Sequence, residues 1–171
     1  VRVVAGSLRG RKIESPRTDS TRPTTDKVRE AVFNSLGSLG VVEDATVVDL
    51  FAGTGALGIE ALSRGARHCT FVERDRNALA VLKENIKNLE LEEVTTVVVG
   101  DAASLRHAGI ECDLLLADPP YSFGDWQGLL DAVKAPFVVI ESNDSIGEIE
   151  GWETVREGRY GRTTVTFLRP A

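Results

Sequence analysis

The chain has 171 residues, enough for one domain with a substantial core. Hydrophobic residues make up 42% and charged residues 27%, a balance that reads as soluble and globular, and no apolar run is long enough to span a bilayer. The net charge of -6 is unevenly spread: residues 1–30 hold eight basic and four acidic side chains, so a segment of +4 precedes a body of -10, an asymmetry of the kind nucleic-acid binders show.

In chain order, "VRVVA" and "RKIES" read as two short strands around the turn "GSLRG". "SPRTDSTRPTT" reads as a loop, and residues 15–24 as the boundary between a basic arm and a larger unit. A helix is expected from about Thr25 to Leu36, with Asp26 in its first turn, Val28, Val32 and Leu36 on one face and Gly37 at its end. Strand and helix then alternate. "TVVDLF" is a strand, "GALGIEALSRG" a helix ended by Gly65, and "HCTFVE" the next strand. Asp75 caps the helix "RNALAVLKENIKNL", with Leu79, Leu82, Ile86 and Leu89 facing inward. "VTTVVVG" is the third strand, and a short helix follows Asp101. "CDLLLAD" is the fourth, apolar throughout and so covered on both faces. A helix near Trp126 to Val133 leads to "PFVVIES", and "WETVREG" and "RTTVTFLRP" form an antiparallel hairpin around "RYG". This alternation predicts a doubly wound α/β sheet with right-handed crossovers and ligands at the carboxyl ends of its strands.

Cys69 and Cys112 sit in or beside inner strands and read as small buried hydrophobes in a reducing compartment. No C-x-x-C or Cys/His cluster suggests a metal site. The start shows no secretory pattern, and a cytoplasmic location is expected. The chain contains no Met, even at position 1, so a trimmed product is expected.

Four groups fall where successive strands end: the turn from Asp49 to Gly55, Glu73, Asp101 and Asp118. Gly53, Gly55 and Gly58 spell G-x-G-x-x-G, a turn that lets a ligand approach the backbone. Glu73 lies twenty residues beyond Gly53, where a carboxylate can accept from both hydroxyls of a ribose. Asp101 suits an adenine amino group or caps the next helix. A nicotinamide dinucleotide remains possible at this point, although Asp49 is an unwelcome neighbour for a pyrophosphate.

"DPPY", residues 118–121, argues against it. Two prolines fix φ twice and remove two N–H donors. The Asp118 carboxylate and the Pro119 carbonyl remain as acceptors, matching the two N–H donors of an amino group. Tyr121 offers a face for stacking a planar base.

With these motifs the chain resembles class I S-adenosylmethionine-dependent methyltransferases of the amino-methylating group, whose signature is [DNS]-P-P-[YFW]. More narrowly, "VVAGSLRGRKIESP", "RPTTDKVREAVFNSL", "VVDLFAGTGALGIEALSRGA" and "LLLADPPY" resemble the bacterial family that methylates the N2 amino group of one guanine in 16S ribosomal RNA. The resemblance runs from Arg2 through Tyr121. It implies a Rossmann-like, mostly parallel seven-stranded sheet with helices on both faces, a C-terminal antiparallel hairpin and a small N-terminal β-hairpin extension. Residues 1–23 become an RNA-contacting arm and loop, and 24–171 the methyltransferase domain.

The resemblance further implies that S-adenosyl-L-methionine is the cofactor. Asp49 then lies near its ammonium and sulfonium charges. Phe51, Ala52, Gly53, Thr54 and Gly55 line the methionine pocket, Glu73 takes the ribose with Arg74 following, and Asp101 with Ala102 faces the adenine. Asp118 borders cofactor and substrate alike, and with Pro119, Pro120 and Tyr121 forms the catalytic set. The implied partner is 16S rRNA in the small ribosomal subunit or its assembly intermediates, met by a monomer with no membrane. Arg9, Arg11, Lys12, Arg17, Arg22 and Arg29 are candidates for the RNA backbone, while Arg22, Thr24 and Arg29 are equally placed to border the active site. The rival readings are a DNA adenine-N6 or protein glutamine methyltransferase, a nicotinamide dehydrogenase, and a binding module without catalysis.

Overall fold

The computed structural model describes residues 1–15, 26–102, 105, 109–120 and 122–171. After an N-terminal arm, α1 (Asp26–Ser38) precedes β1 (Thr46–Asp49), α2 (Ala56–Ser63), β2 (His68–Glu73) and α3 (Arg76–Asn88). Then come β3 (Thr95–Val99), β4 (Ile110–Glu111), β5 (Leu114–Ala117), α4 (Trp126–Asp131), β6 (Val133–Lys134), β7 (Phe137–Ser142), β8 (Trp152–Tyr160) and β9 (Thr163–Pro170). Seven strands form one sheet in the order β3-β2-β1-β5-β7-β9-β8. β3, β2, β1, β5 and β7 are mutually parallel, and β9 runs antiparallel to both β7 and β8. The chain thus has the expected doubly wound sheet, finished by the expected hairpin. Strand order reverses between β1 and β5, the position where such sheets open a crevice for ligands.

Period-two alternation sends neighbouring residues into two cores. Val47, Phe71, Leu114, Leu116 and Val139 face a layer built from α1, α2 and α3. Val48, Leu50, Val72, Leu115, Ala117 and Val138 face a second layer containing Trp126, Leu129 and Leu130 of α4. All four residues of β5 are buried, as a strand covered on both faces requires. The Asp75 side chain accepts from Ala78 N–H at 2.9 Å and caps α3, whose Leu79, Leu82 and Ile86 point inward. Cys69 and Cys112 are buried free thiols, and burial pushes Cys112 up to about 12. Among the described residues no helix is long and apolar enough to cross a membrane.

Two local expectations change. The arm holds one antiparallel bridge, Arg2 to Lys12, rather than two strands. It is shaped by side chains of distant helices. Glu60 of α2 accepts from Val4 N–H at 2.8 Å and Ala5 N–H at 3.1 Å, and Ser63 Oγ donates to the Ala5 carbonyl at 2.6 Å. Val3 and Ile13 join the core under α1 and α2. The helix expected over 126–133 stops at Asp131, because Val133 and Lys134 pair as β6 with β4 in a separate parallel ribbon. Of the short helix expected after Asp101 only Ala102 and Leu105 are described, both in 3₁₀ conformation, and most of the loop over 15–24 lies outside the described residues.

Candidate active site

The ends of β1, β2, β3 and β5 meet along one rim. β1 delivers Asp49, which is 1% exposed. Its Oδ2 accepts from Gly58 N–H at 3.0 Å, while its Oδ1 has no hydrogen-bond partner among the described residues. Burial pushes Asp49 up to about 7, the Gly58 N–H opposes this, and the charges of Asp118 and Glu73 add to it. Three carboxylates on adjacent strand ends therefore create a negative well around a desolvated oxygen. Such a well favours a cation.

The glycine turn is shaped for approach. Gly53 has φ +56° and Gly55 +90°, the left-handed region. A side chain at Gly53 would point into open space, whereas a Cβ at Gly58 would sit 2.4 Å from the Phe71 ring. Gly53 thus leaves a ligand access to the main chain, and Gly58 lets α2 lie tightly on β2.

Glu73 stabilises this turn. Its Oε1 accepts from Gly53 N–H at 2.8 Å; its Oε2 accepts from Arg74 N–H at 2.8 Å and Asp75 N–H at 2.9 Å. The carboxylate is pre-oriented and keeps about one of its four lone-pair sites, on Oε1, for a further donor. Arg74 reaches Asp101 at 3.4 Å, with both side chains largely exposed. Ala102 is buried beside Val48, Leu50 and Val72. Ala52 N–H is tied to the Val72 carbonyl at 3.0 Å, and Gly55 N–H to the Ala52 carbonyl at 2.8 Å.

On the other side of β1, Asp118 is half-buried, Pro119 buried and Pro120 exposed. Phe123 N–H donates to the Pro120 carbonyl at 3.0 Å and turns the chain back. Phe51 then meets Phe123 edge-on at 5.4 Å between centroids, and Phe123 meets Trp126 at 4.8 Å. This aromatic ladder joins the glycine turn to the loop after β5. Phe123 and Trp126 were not singled out from sequence; their signal was two aromatics in "SFGDW" directly after the Asp-Pro-Pro run.

Asn85 was missed as well. It is 1% exposed, and its Nδ2 donates to the carbonyls of Thr54 at 2.9 Å and Glu14 at 3.1 Å. One amide thus links the arm's end to the glycine turn. Tyr121, Arg17, Arg22 and Thr24 lie outside the described residues.

Arg29 requires a correction. It was a candidate for RNA phosphates, but its side chain is 0% exposed. Its Nε donates to Glu60 Oε1 at 3.2 Å, and its Nη2 donates to Asp26 Oδ1 at 2.9 Å and to the Arg2 carbonyl. A guanidinium committed this way ties α1 and α2 to the arm and cannot meet a phosphate. Arg9 and Arg11 are exposed, yet the arm's tip lies against Ser63, and Arg11 Nη2 donates to the Asn88 carbonyl at 3.0 Å. α2 has eight residues, so its end stands about 12 Å from the glycine turn where it begins. Lys12 pairs with Glu14 at 3.4 Å.

A family model described as "Conserved hypothetical protein 95" matches residues 1–169. The chain belongs to this family. The chain is also similar to named proteins. The chain is 38% identical over 186 aligned positions to YlbH of Bacillus subtilis (strain 168), provisionally named an rRNA methyltransferase, covering 99% of this chain and 98% of that protein. It is 40% identical over 124 positions to Ribosomal RNA small subunit methyltransferase D of Escherichia coli (strain K12), covering 72% of this chain and 62% of that protein. This chain's match therefore spans less than two thirds of the Escherichia coli relative. The solved structure of yhhF from Escherichia coli, described as a provisional methyltransferase, superposes with a TM-score of 0.86 at 34% identity, covering 99% of this chain and 97% of that one. PH1948 from Pyrococcus horikoshii, at 21% identity and a TM-score of 0.76, shares the fold. The family is the methyltransferase family that the motifs resemble.

The site fits the methyl donor implied by that resemblance. Asp49 Oδ1 is a buried acceptor in need of a donor or cation, Gly53 is open, and Glu73 is held ready at the neighbouring strand end. Among the described residues no cluster of three or more His, Cys, Asp or Glu could hold a metal ion.

Proposed function

We propose that this protein transfers a methyl group from S-adenosylmethionine to the exocyclic N2 of a guanine in the 16S rRNA of the small ribosomal subunit. The observation that carries the reading is the division of one rim. The Asp49 to Gly55 turn and Glu73 stand on one side, and the Asp-Pro-Pro acceptor run stands directly across β1–β5. The names of the relatives support rRNA as substrate. The reading carries with it a cytoplasmic monomer acting on the subunit or on an assembly intermediate of it.

Bound at this rim, S-adenosylmethionine supplies an electrophilic methyl group, and its sulfur leaves with the electron pair of the broken C–S bond. Asp49 offers its unpartnered oxygen to the positive methionine end. Glu73 accepts from a ribose hydroxyl at the remaining site on Oε1 while retaining its grip on Gly53, and Ala102 supplies an apolar floor for the adenine. Asp118 and the Pro119 carbonyl accept from the two N–H bonds of the guanine amine and orient its lone pair. Asp118 also stabilises the positive charge that develops on nitrogen, and the proton leaves after the N–C bond forms. A base paired inside a helix cannot reach this rim, so the target lies in a loop or is turned out of its stack.

The test is methyl transfer from labelled donor to small subunits lacking the modification, followed by nucleoside analysis. The expected product is N2-methylguanosine at a single position. Labelled N6-methyladenosine, or transfer to ribosomal protein instead of RNA, would overturn the proposal.

A further inference from the structure

The same rim continues past Asp118 to a second basic feature. Asn143, Asp144, Arg159 and Arg162 line an open recess where β7 ends and the β8–β9 hairpin turns. The register places it on the catalytic edge. Ala117 pairs with Ile140, Ser142 with Thr164, and Thr164 with Arg159. Arg159 therefore stands three strand spacings from the residue after Asp118, about 14 Å across the sheet.

Both arginines are exposed, and neither forms an ion pair with a described residue. Arg159 is aimed across the edge by weak contacts to neutral oxygens, the Asn143 carbonyl and Thr164 Oγ1, each at 3.4 Å. Asp144 is the acidic group in the recess; it is exposed and pairs with neither arginine. In a chain of net charge -6, two exposed guanidiniums with no acidic partner among the described residues, on the same rim as the acceptor site, are unlike the arm's Arg29, which is internally consumed.

We propose that Arg159 and Arg162 form a phosphodiester-binding site for the RNA strand within a few nucleotides of the target guanine. The assignment rests on the rRNA reading above and adds a location to it. A strand whose target base enters at Asp118 crosses the ends of β7 and β9, and its backbone meets the hairpin turn. The arginines bind it as charges, without reading sequence.

The experiment compares wild type with the double variants Arg159→Gln/Arg162→Gln and Arg159→Lys/Arg162→Lys, using small subunits lacking the modification as substrate across a salt series. Expected for the Gln pair are a KM for subunits raised about tenfold, kcat within twofold, unchanged affinity for S-adenosylhomocysteine, and a salt slope of log KM reduced by about 1.4, since each neutralised phosphate on a single strand contributes ~0.7. The Lys pair keeps the charges and is expected to restore most of the KM. The inference is overturned if the Gln pair matches wild type in KM and slope, or if the Lys pair is as impaired as the Gln pair. Failure of wild type itself to methylate rRNA would instead defeat the underlying functional reading.

Discussion

The two halves of the catalytic rim obtain their rigidity in different ways. At the ends of β1 and β2, carboxylates do the organising: Glu73 fastens three backbone amides and Asp49 a fourth. At the end of β5, Pro119 and Pro120 restrict the backbone covalently, and Phe51, Phe123 and Trp126 pack the loop against the glycine turn. A half held by polar contacts to acidic groups suits a cationic nucleoside that must bind and leave. A half held by proline and aromatic packing suits a fixed pair of acceptors on which chemistry depends. Binding and reaction should therefore be separable by mutation.

The largest effect should fall on the acceptor half. Asp118→Ala is expected to lower kcat about 10²–10³-fold, as loss of one preorganised electrostatic partner does; single-turnover transfer from labelled donor measures it. Next comes the foundation of the donor half. Arg29→Ala takes from Glu60 its fully buried partner beneath α2, leaving it Arg64 at 2.9 Å, and should cost about 2–3 kcal/mol, or roughly 8 °C in Tm, read by thermal unfolding. Glu73→Ala should weaken S-adenosylhomocysteine binding by about 2 kcal/mol, roughly thirtyfold, with a smaller loss in kcat at saturation. A comparable loss of kcat and affinity in each variant would show that the two halves are not separable.

The smallest effect concerns pH. Asp49 titrates near 7 in the folded, ligand-free protein, against 3.8 ordinarily. The folded state thus holds a proton between about pH 4 and 7 that the unfolded chain has released, so ligand-free stability falls as pH rises through that window. A cationic ligand requires the carboxylate. Donor affinity should therefore weaken about fivefold from pH 7 to pH 6, with proton release on binding visible by calorimetry in two buffers. Asp49→Asn should flatten that dependence.

The sheet and its ligand edge were readable because each strand carries a local signal: the unbroken apolar run of β5, the Asp75 cap, the glycine spacing after β1. The arm was less so. Its shape comes from Glu60, Ser63 and Asn85, residues more than fifty positions away, and no local period reports such contacts. Arg29 was misplaced for the same reason, since charge in a helix pattern does not reveal a buried carboxylate on another helix. The β4–β6 ribbon has two residues per strand, too few to alternate. Arg159 and Arg162 gained meaning only from the register that brings the hairpin turn onto the rim.

Calorimetric titration of S-adenosylhomocysteine into Asp118→Ala, beside wild type, tests the separation of binding from reaction most directly. The account predicts a Kd within threefold of wild type in a variant whose methyl transfer has nearly vanished. A Kd weakened in proportion to the lost turnover would contradict it, by making Asp118 a main holder of the donor rather than its neighbour and leaving the acceptor half without a role of its own.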